Sequence, residues 1–111
     1  MKIYLSGPIT GKASYAASFR ELARSCRRKF GGDVTLLDPT RHPTGLRPAE
    51  YMRLAFADID AADAVAFCRD WKESDGAQLE YRYARYTGKT TLQYWTWEET
   101  DDDTEAETAG D

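Results

Sequence analysis

Histidine occurs once in the 111 residues and cysteine only twice, at Cys26 and Cys68, so the usual Cys/His zinc set cannot be assembled. No metal or cofactor is expected, and both thiols read as reduced and structural. Long apolar runs are also missing: none approaches the roughly 20 residues that span a bilayer. With a mean hydropathy of -0.68, this predicts a soluble globular protein without a membrane partner. Met1 to Ser6 holds too few apolar residues for the core of a secretory signal, about 7 to 15 residues, and the expected location is cytoplasmic. There are no internal repeats. The length suits one domain and leaves no room for a second core.

Bases are absent from the end of the chain. The last 14 residues, Glu98 to Asp111, hold eight acids, so a net charge of -4 conceals 15 bases against 11 acids over residues 1–97. The expected organisation is therefore a mildly basic domain over 1–97 and an acidic segment over 98–111. That segment has too little apolar surface to offset its ordering entropy and is expected to be disordered. The only dense basic cluster, Arg24, Arg27, Arg28 and Lys29, falls on the polar side of a predicted helix. It reads as a solvated face rather than a nucleic-acid footprint.

The apolar pattern alternates between two periods. Lys2 to Leu5 predicts a strand running into the turn-rich Ser6-Gly7-Pro8-Ile9-Thr10-Gly11. Ser14 can cap a helix whose apolar positions Tyr15, Phe19, Leu22, Ala23, Cys26 and Phe30 recur every three or four residues until Gly31-Gly32. Val34 to Leu37 is a second strand, followed by a loop from Asp38 to Arg47. A second helix starts near Pro48 and runs through Ile59, Ala64 to Cys68 forms a third strand, and Gly76 to Tyr86 forms a third helix. Thr90 to Trp97 reads as a last strand. Strands alternating with helices predict an α/β three-layer sandwich with a small, mainly parallel sheet of four to five strands, flavodoxin- or Rossmann-like. In such sheets the ligand sits beyond the C-terminal strand ends. The loops Ser6–Ala13, Asp38–Arg47 and Arg69–Asp75 should then meet at one site.

The stretch Trp71-Lys72-Glu73-Ser74-Asp75-Gly76-Ala77-Gln78-Leu79-Glu80 passes from one of these loops into the third helix. Ser74 or Asp75 would cap it, and amides near Gly76 suit an anionic oxygen. From composition alone, Glu80 reads as a solvated helix glutamate. Trp71 suits stacking on a base, or else a place in the core. The run Tyr81 to Tyr86 interleaves aromatics and bases, which favours packing or a subunit interface over single-stranded nucleic acid. His42 reads as a loop bystander that a nearby site can recruit as acid or base.

Tyr4-Leu5-Ser6-Gly7-Pro8-Ile9-Thr10-Gly11 together with Ser74-x-Gly76-x-x-x-Glu80 resembles the nucleoside 2-deoxyribosyltransferase superfamily. That superfamily includes deoxyribonucleoside 5'-monophosphate N-glycosidases and a branch of short phage and bacterial proteins, to which Tyr51-Met52 and Trp71-x-x-Ser74-x-Gly76-Ala77 look most similar. The likeness runs from about Lys2 to Leu92. It implies that Glu80 is the nucleophile toward C1' of the deoxyribose, with Tyr4 beside it. Gly7 and Ile9, with Ser6 and Thr10 in the same loop, would approach the sugar and base, and Ser74 and Gly76 would bind the 5' end. Serine at position 74, where the transferases carry aspartate, tilts the expectation toward a monophosphate.

Three positions depart from that pattern. The family places an aspartate where Ala55 stands, so Asp58 or Asp60, one turn on, is the expected acid for the departing base. Thr10 replaces a phosphate-binding arginine, with Lys12 as a possible substitute. No residue of the acidic segment matches the one the family often contributes from a neighbouring subunit. The expected activity is cleavage or transfer of an N-glycosidic bond on a deoxyribonucleoside or its monophosphate, in a homo-oligomer. The alternatives are an inactive nucleotide-binding or interaction module on the same fold, and a nucleic-acid-associated accessory protein.

Overall fold

The computed structural model describes residues 1–9 and 15–97. Four strands, β1 (Lys2–Ser6), β2 (Thr35–Leu37), β3 (Ala64–Phe67) and β4 (Thr90–Gln93), form one sheet in the order β2-β1-β3-β4, and every pairing is parallel. Three helices connect them: α1 (Tyr15–Phe30), α2 (Pro48–Ala61) and α3 (Asp75–Tyr86). This is the expected α/β sandwich.

Side chains on a strand point alternately to the two faces, and that alternation divides the core. Ile3, Leu5, Ala64, Ala66 and Cys68 pack with Phe19, Leu22 and Cys26 of α1 on one face. Tyr4, Val65 and Phe67 face the other way, onto Ala55 and Ile59 of α2 and Ala77 and Ala84 of α3. The central strands β1 and β3 are covered on both faces and read as continuous apolar runs. Cys26 and Cys68 are free thiols in the first layer, and burial pushes both up to about 12.

Local chemistry sets the helix ends. Gly31, at φ +93°, donates its N–H to the Arg27 carbonyl after α1, a left-handed stop that a side chain would strain. Glu50 accepts the Arg47 N–H at 2.8 Å at the start of α2, where Pro48 occupies the first turn. Of the two candidate caps for α3, Ser74 is the one used, its Oγ accepting the Ala77 N–H at 3.1 Å. The helix closes with Gly88 donating to Arg85 and Lys89 to Ala84.

Three expectations change in detail. The last strand ends at Gln93, and Tyr94–Thr96 turns into a short 3₁₀ helix that seats Tyr94 in the core. The two long loops contain further 3₁₀ turns, Pro39–Arg41 and Trp71–Glu73. Ser14, Thr10, Lys12 and the acidic segment 98–111 lie outside the described residues. No helix among the described residues is long and apolar enough to cross a membrane.

Candidate active site

Chain order and sheet order diverge at β1. The connection through α1 leads to β2 on one side of it, while β3 pairs on its other side. The loops leaving β1 and β3 therefore part and leave a crevice at their C-terminal ends. A cleft of about 550 Å³ opens there. Gly7 and Ile9 line it from the first loop, Pro39, His42 and Leu46 from the second, and Glu73, Ser74 and Asp75 from the third. The three loops meet as the strand pattern predicts. A further wall comes from Pro48, Tyr51, Met52 and Ala55 of α2, residues whose spacing signals only a helix's apolar face.

Glu80 lies one and a half turns into α3 and lines the cleft at 9% exposure, which overturns its reading as a solvated helix glutamate. Two side chains from β1 hold it. Ser6 Oγ donates to Glu80 Oε1 at 2.6 Å, and Tyr4 Oη donates to Oε2 at 3.3 Å. Positions 4 and 6 share a face of the strand, so one carboxylate can accept from both. Burial raises the Glu80 carboxyl to about 7, with nearby Asp58 pushing the same way and the two hydrogen bonds pulling it down. Burial first, and then the Glu80 charge, keep the Tyr4 phenol protonated well above its ordinary range. Tyr4 is thus a neutral donor to a carboxyl group that ionises near neutrality.

The other candidates separate. Gly7, Ile9, Ser74 and Gly76 all line the cleft. A Cβ on Gly7 would sit 2.5 Å from Cys68 Sγ, so the protein's own packing requires glycine there. At Gly76 a Cβ would meet Met52 Cε at 3.5 Å, an ordinary contact, so the fold itself tolerates a side chain at that point. Ser6, expected among the binding residues, is fully buried and does not line the cleft, and its hydroxyl is spent on the Glu80 carboxylate.

Trp71 does not stand beside the cleft. The residue is 6% exposed, and its ring stacks on Tyr81 with centroids 4.8 Å apart and tilts against Phe67 at 5.1 Å. The 3₁₀ turn folds it inward as an anchor for the loop, which corrects its expected place at the base. Tyr83 likewise stacks on Phe56, so much of the aromatic face of α3 is consumed by packing.

Asp58 is not a lining residue either. Its Oδ2 lies 3.0 Å from Nε2 of His42, which does line the cleft. Asp60, the other expected acid, instead accepts the Tyr83 hydroxyl at 2.7 Å. His42 is the residue that sequence reasoning underrated. Its flanking Arg41 and Pro43 give no sign that a carboxylate 16 positions later would hold it. Among the described residues no group of three or more His, Cys, Asp or Glu side chains is placed to hold a metal ion.

The family model described as "Domain of unknown function (DUF4406)" matches residues 1–93, the whole of the sheet and its helices. The chain belongs to that family. A search of the curated proteins gave no match. Among solved structures, this DUF4406 domain is similar to a chain described as a 2-desoxiribosyltransferase from Leishmania mexicana, at 27% identity and a TM-score of 0.60. The similarity covers 83% of this chain and 62% of that one, so the DUF4406 domain spans less than two thirds of its structural neighbour. It supports the superfamily resemblance seen in the loop and helix motifs.

Proposed function

We propose that this DUF4406 domain cleaves or transfers the N-glycosidic bond of a deoxyribonucleoside or its 5'-monophosphate, with Glu80 as nucleophile. The observation that carries the reading is a buried carboxylate that lines the cleft and is hydrogen-bonded by Ser6 and Tyr4. Fixed at both oxygens, it needs little reorganisation to meet an electrophilic carbon. Glu80 attacks C1', the C1'–N bond breaks with its electron pair passing to the base, and a glycosyl ester forms. Water or a second base then attacks C1', and the carboxylate leaves.

The same cleft suits the rest of such a substrate. The start of α3 presents Ser74 and Gly76, where backbone amides and the helix dipole favour an anionic 5' group. Leu46, Tyr51 and Met52 offer apolar surface to a base. The reading includes a homo-oligomer, and the outer face of α3, with Leu79 at 42% and Tyr86 at 91% exposure, is its proposed contact.

Ala55 favours a second reading. It puts a methyl on the cleft wall where the resembled superfamily has a carboxylate, as a binding module without turnover would.

Incubation with each deoxyribonucleoside and monophosphate, followed by chromatography for free base, separates the two. Release from at least one substrate, abolished by Glu80→Gln, is expected. Saturable binding with no release, or equal release by the variant, would favour the module.

A further inference from the structure

We infer that His42 is the acid that protonates the departing base, with Asp58 as its positioning residue. This rests on the glycosidic reading and gives the proton a source that Ala55 cannot supply.

The loop bearing His42 is built, not slack. Asp38 accepts from Thr40 N at 2.9 Å and from Thr40 Oγ1 at 2.7 Å, and the His42 N–H closes the turn on the Pro39 carbonyl at 3.1 Å. The imidazole then meets a carboxylate from α2, Nε2 to Oδ2 at 3.0 Å, with the two side chains 25% and 28% exposed. Asp58 is not among the residues lining the cleft that contains Glu80, whereas His42 is. Asp58 thus reaches a bound substrate through the imidazole.

A carboxylate on one ring nitrogen fixes the tautomer and stabilises the imidazolium, leaving the other nitrogen for proton transfer. Here Nε2–H donates to Asp58, and Nδ1 handles the proton. As Glu80 bonds to C1', the C1'–N pair passes to the base, which takes the Nδ1 proton and departs neutral. The imidazole keeps the N–H electron pair. When water attacks C1', Nδ1 accepts its proton, Glu80 is released as carboxylate, and the imidazolium is restored.

The test compares two leaving groups in the full chain. One is whichever deoxyribonucleoside or monophosphate releases base; the other is its counterpart alkylated on a base ring nitrogen, whose cationic base departs without taking a proton. His42→Gln is expected to slow release of the neutral base on the order of 100-fold or more and that of the alkylated base less than about fivefold. Asp58→Asn should show the same bias at about tenfold, while Glu80→Gln stops both. As the chain has a single histidine, its nitrogen NMR signals need no assignment. The neutral ring should carry its proton on Nε2, and Asp58→Asn should weaken that preference.

Equal slowing of both substrates, no slowing, or a proton on Nδ1 would overturn the inference while leaving Glu80 in place. No release from either substrate by the unmodified chain would overturn the glycosidic reading and this inference together.

Discussion

Ser6 Oγ donates to Glu80 Oε1 at 2.6 Å across 74 residues of sequence, joining the first strand to the third helix at the floor of the cleft. Only part of the Glu80 carboxylate's desolvation is offset by this bond, since the carboxyl group is still raised from 4.5 to about 7. The folded state therefore holds this proton more tightly than the unfolded chain. Stability from the neutral carboxyl is fully present below about 4.5 and is lost as pH rises through about 7. Glu80→Gln should remove that loss, making the variant more stable at pH 8 by an amount on the order of 3 kcal/mol. Urea melts from pH 4 to 8 would show it, and parallel slopes for both proteins would contradict it. Activity should run the other way over this ionisation, with an ascending limb as Glu80 loses its proton.

Ser6→Ala should move that ionisation upward, because the hydrogen bond it removes favours the charged form. The expected result is an activity limb displaced to higher pH, by up to about one unit for a net hydrogen bond of about 1 kcal/mol. The displacement appears in a pH–rate profile of base release. A lower plateau with an unmoved limb would deny Ser6 this role.

Gly7→Ala should destabilise the domain without any ligand. Its new Cβ would fall 2.5 Å from Cys68 Sγ and 2.8 Å from Cys68 Cβ. Overpacking of this kind costs about 1–3 kcal/mol, read as a lowered melting temperature. Cys68→Ala on the same chain should restore only part of it, because the nearby Cβ remains.

Position 76 should behave oppositely. Gly76→Ala meets only ordinary contacts and should leave stability unchanged or slightly improved, since alanine is the better helix former by up to about 1 kcal/mol. Its methyl faces Met52 and Ser74, so substrate affinity should fall while the melting temperature does not. Ser74→Asp keeps a good N-cap but adds charge, and should weaken a monophosphate about tenfold more than the matching nucleoside. Equal weakening of both ligands would leave no case for a phosphate at this end of the cleft.

Lys89 closes the far end of α2. Its Nζ donates to the carbonyls of Ala62 at 2.8 Å and Asp60 at 3.1 Å. Lys89→Met keeps the stem and removes the cap, and should cost about 1–2 kcal/mol with no change in base release by the folded protein.

The repeating elements of this molecule were legible because each obeys a simple period. Phe19, Leu22 and Cys26 on α1 and the buried run 64–68 announce their burial by spacing. The expected convergence of three loops followed from the parallel sheet. What remained hidden depends on three-dimensional pairing: His42 with Asp58, Trp71 turned inward onto Tyr81, and Ser6 behind Glu80. Spacing does not encode such partners, because they arrive from elements that meet only when the sheet assembles. The Tyr94–Thr96 turn was missed because aromatic residues suit both a strand and the short helix that seats Tyr94.

The pleat of β1 also serves as a ruler for the chemistry. Ile3 and Leu5 fill the layer under α1, while Tyr4 and Ser6 grip Glu80 on the other side. A slip of one residue would exchange the two pairs, placing a phenol and a hydroxyl in the apolar layer and leaving the carboxylate against aliphatic carbon. Pairing errors in this strand therefore damage core and site together. A chain that pairs this strand out of register therefore cannot hold Glu80, and assembly of the sheet acts as a proofreading step for the site.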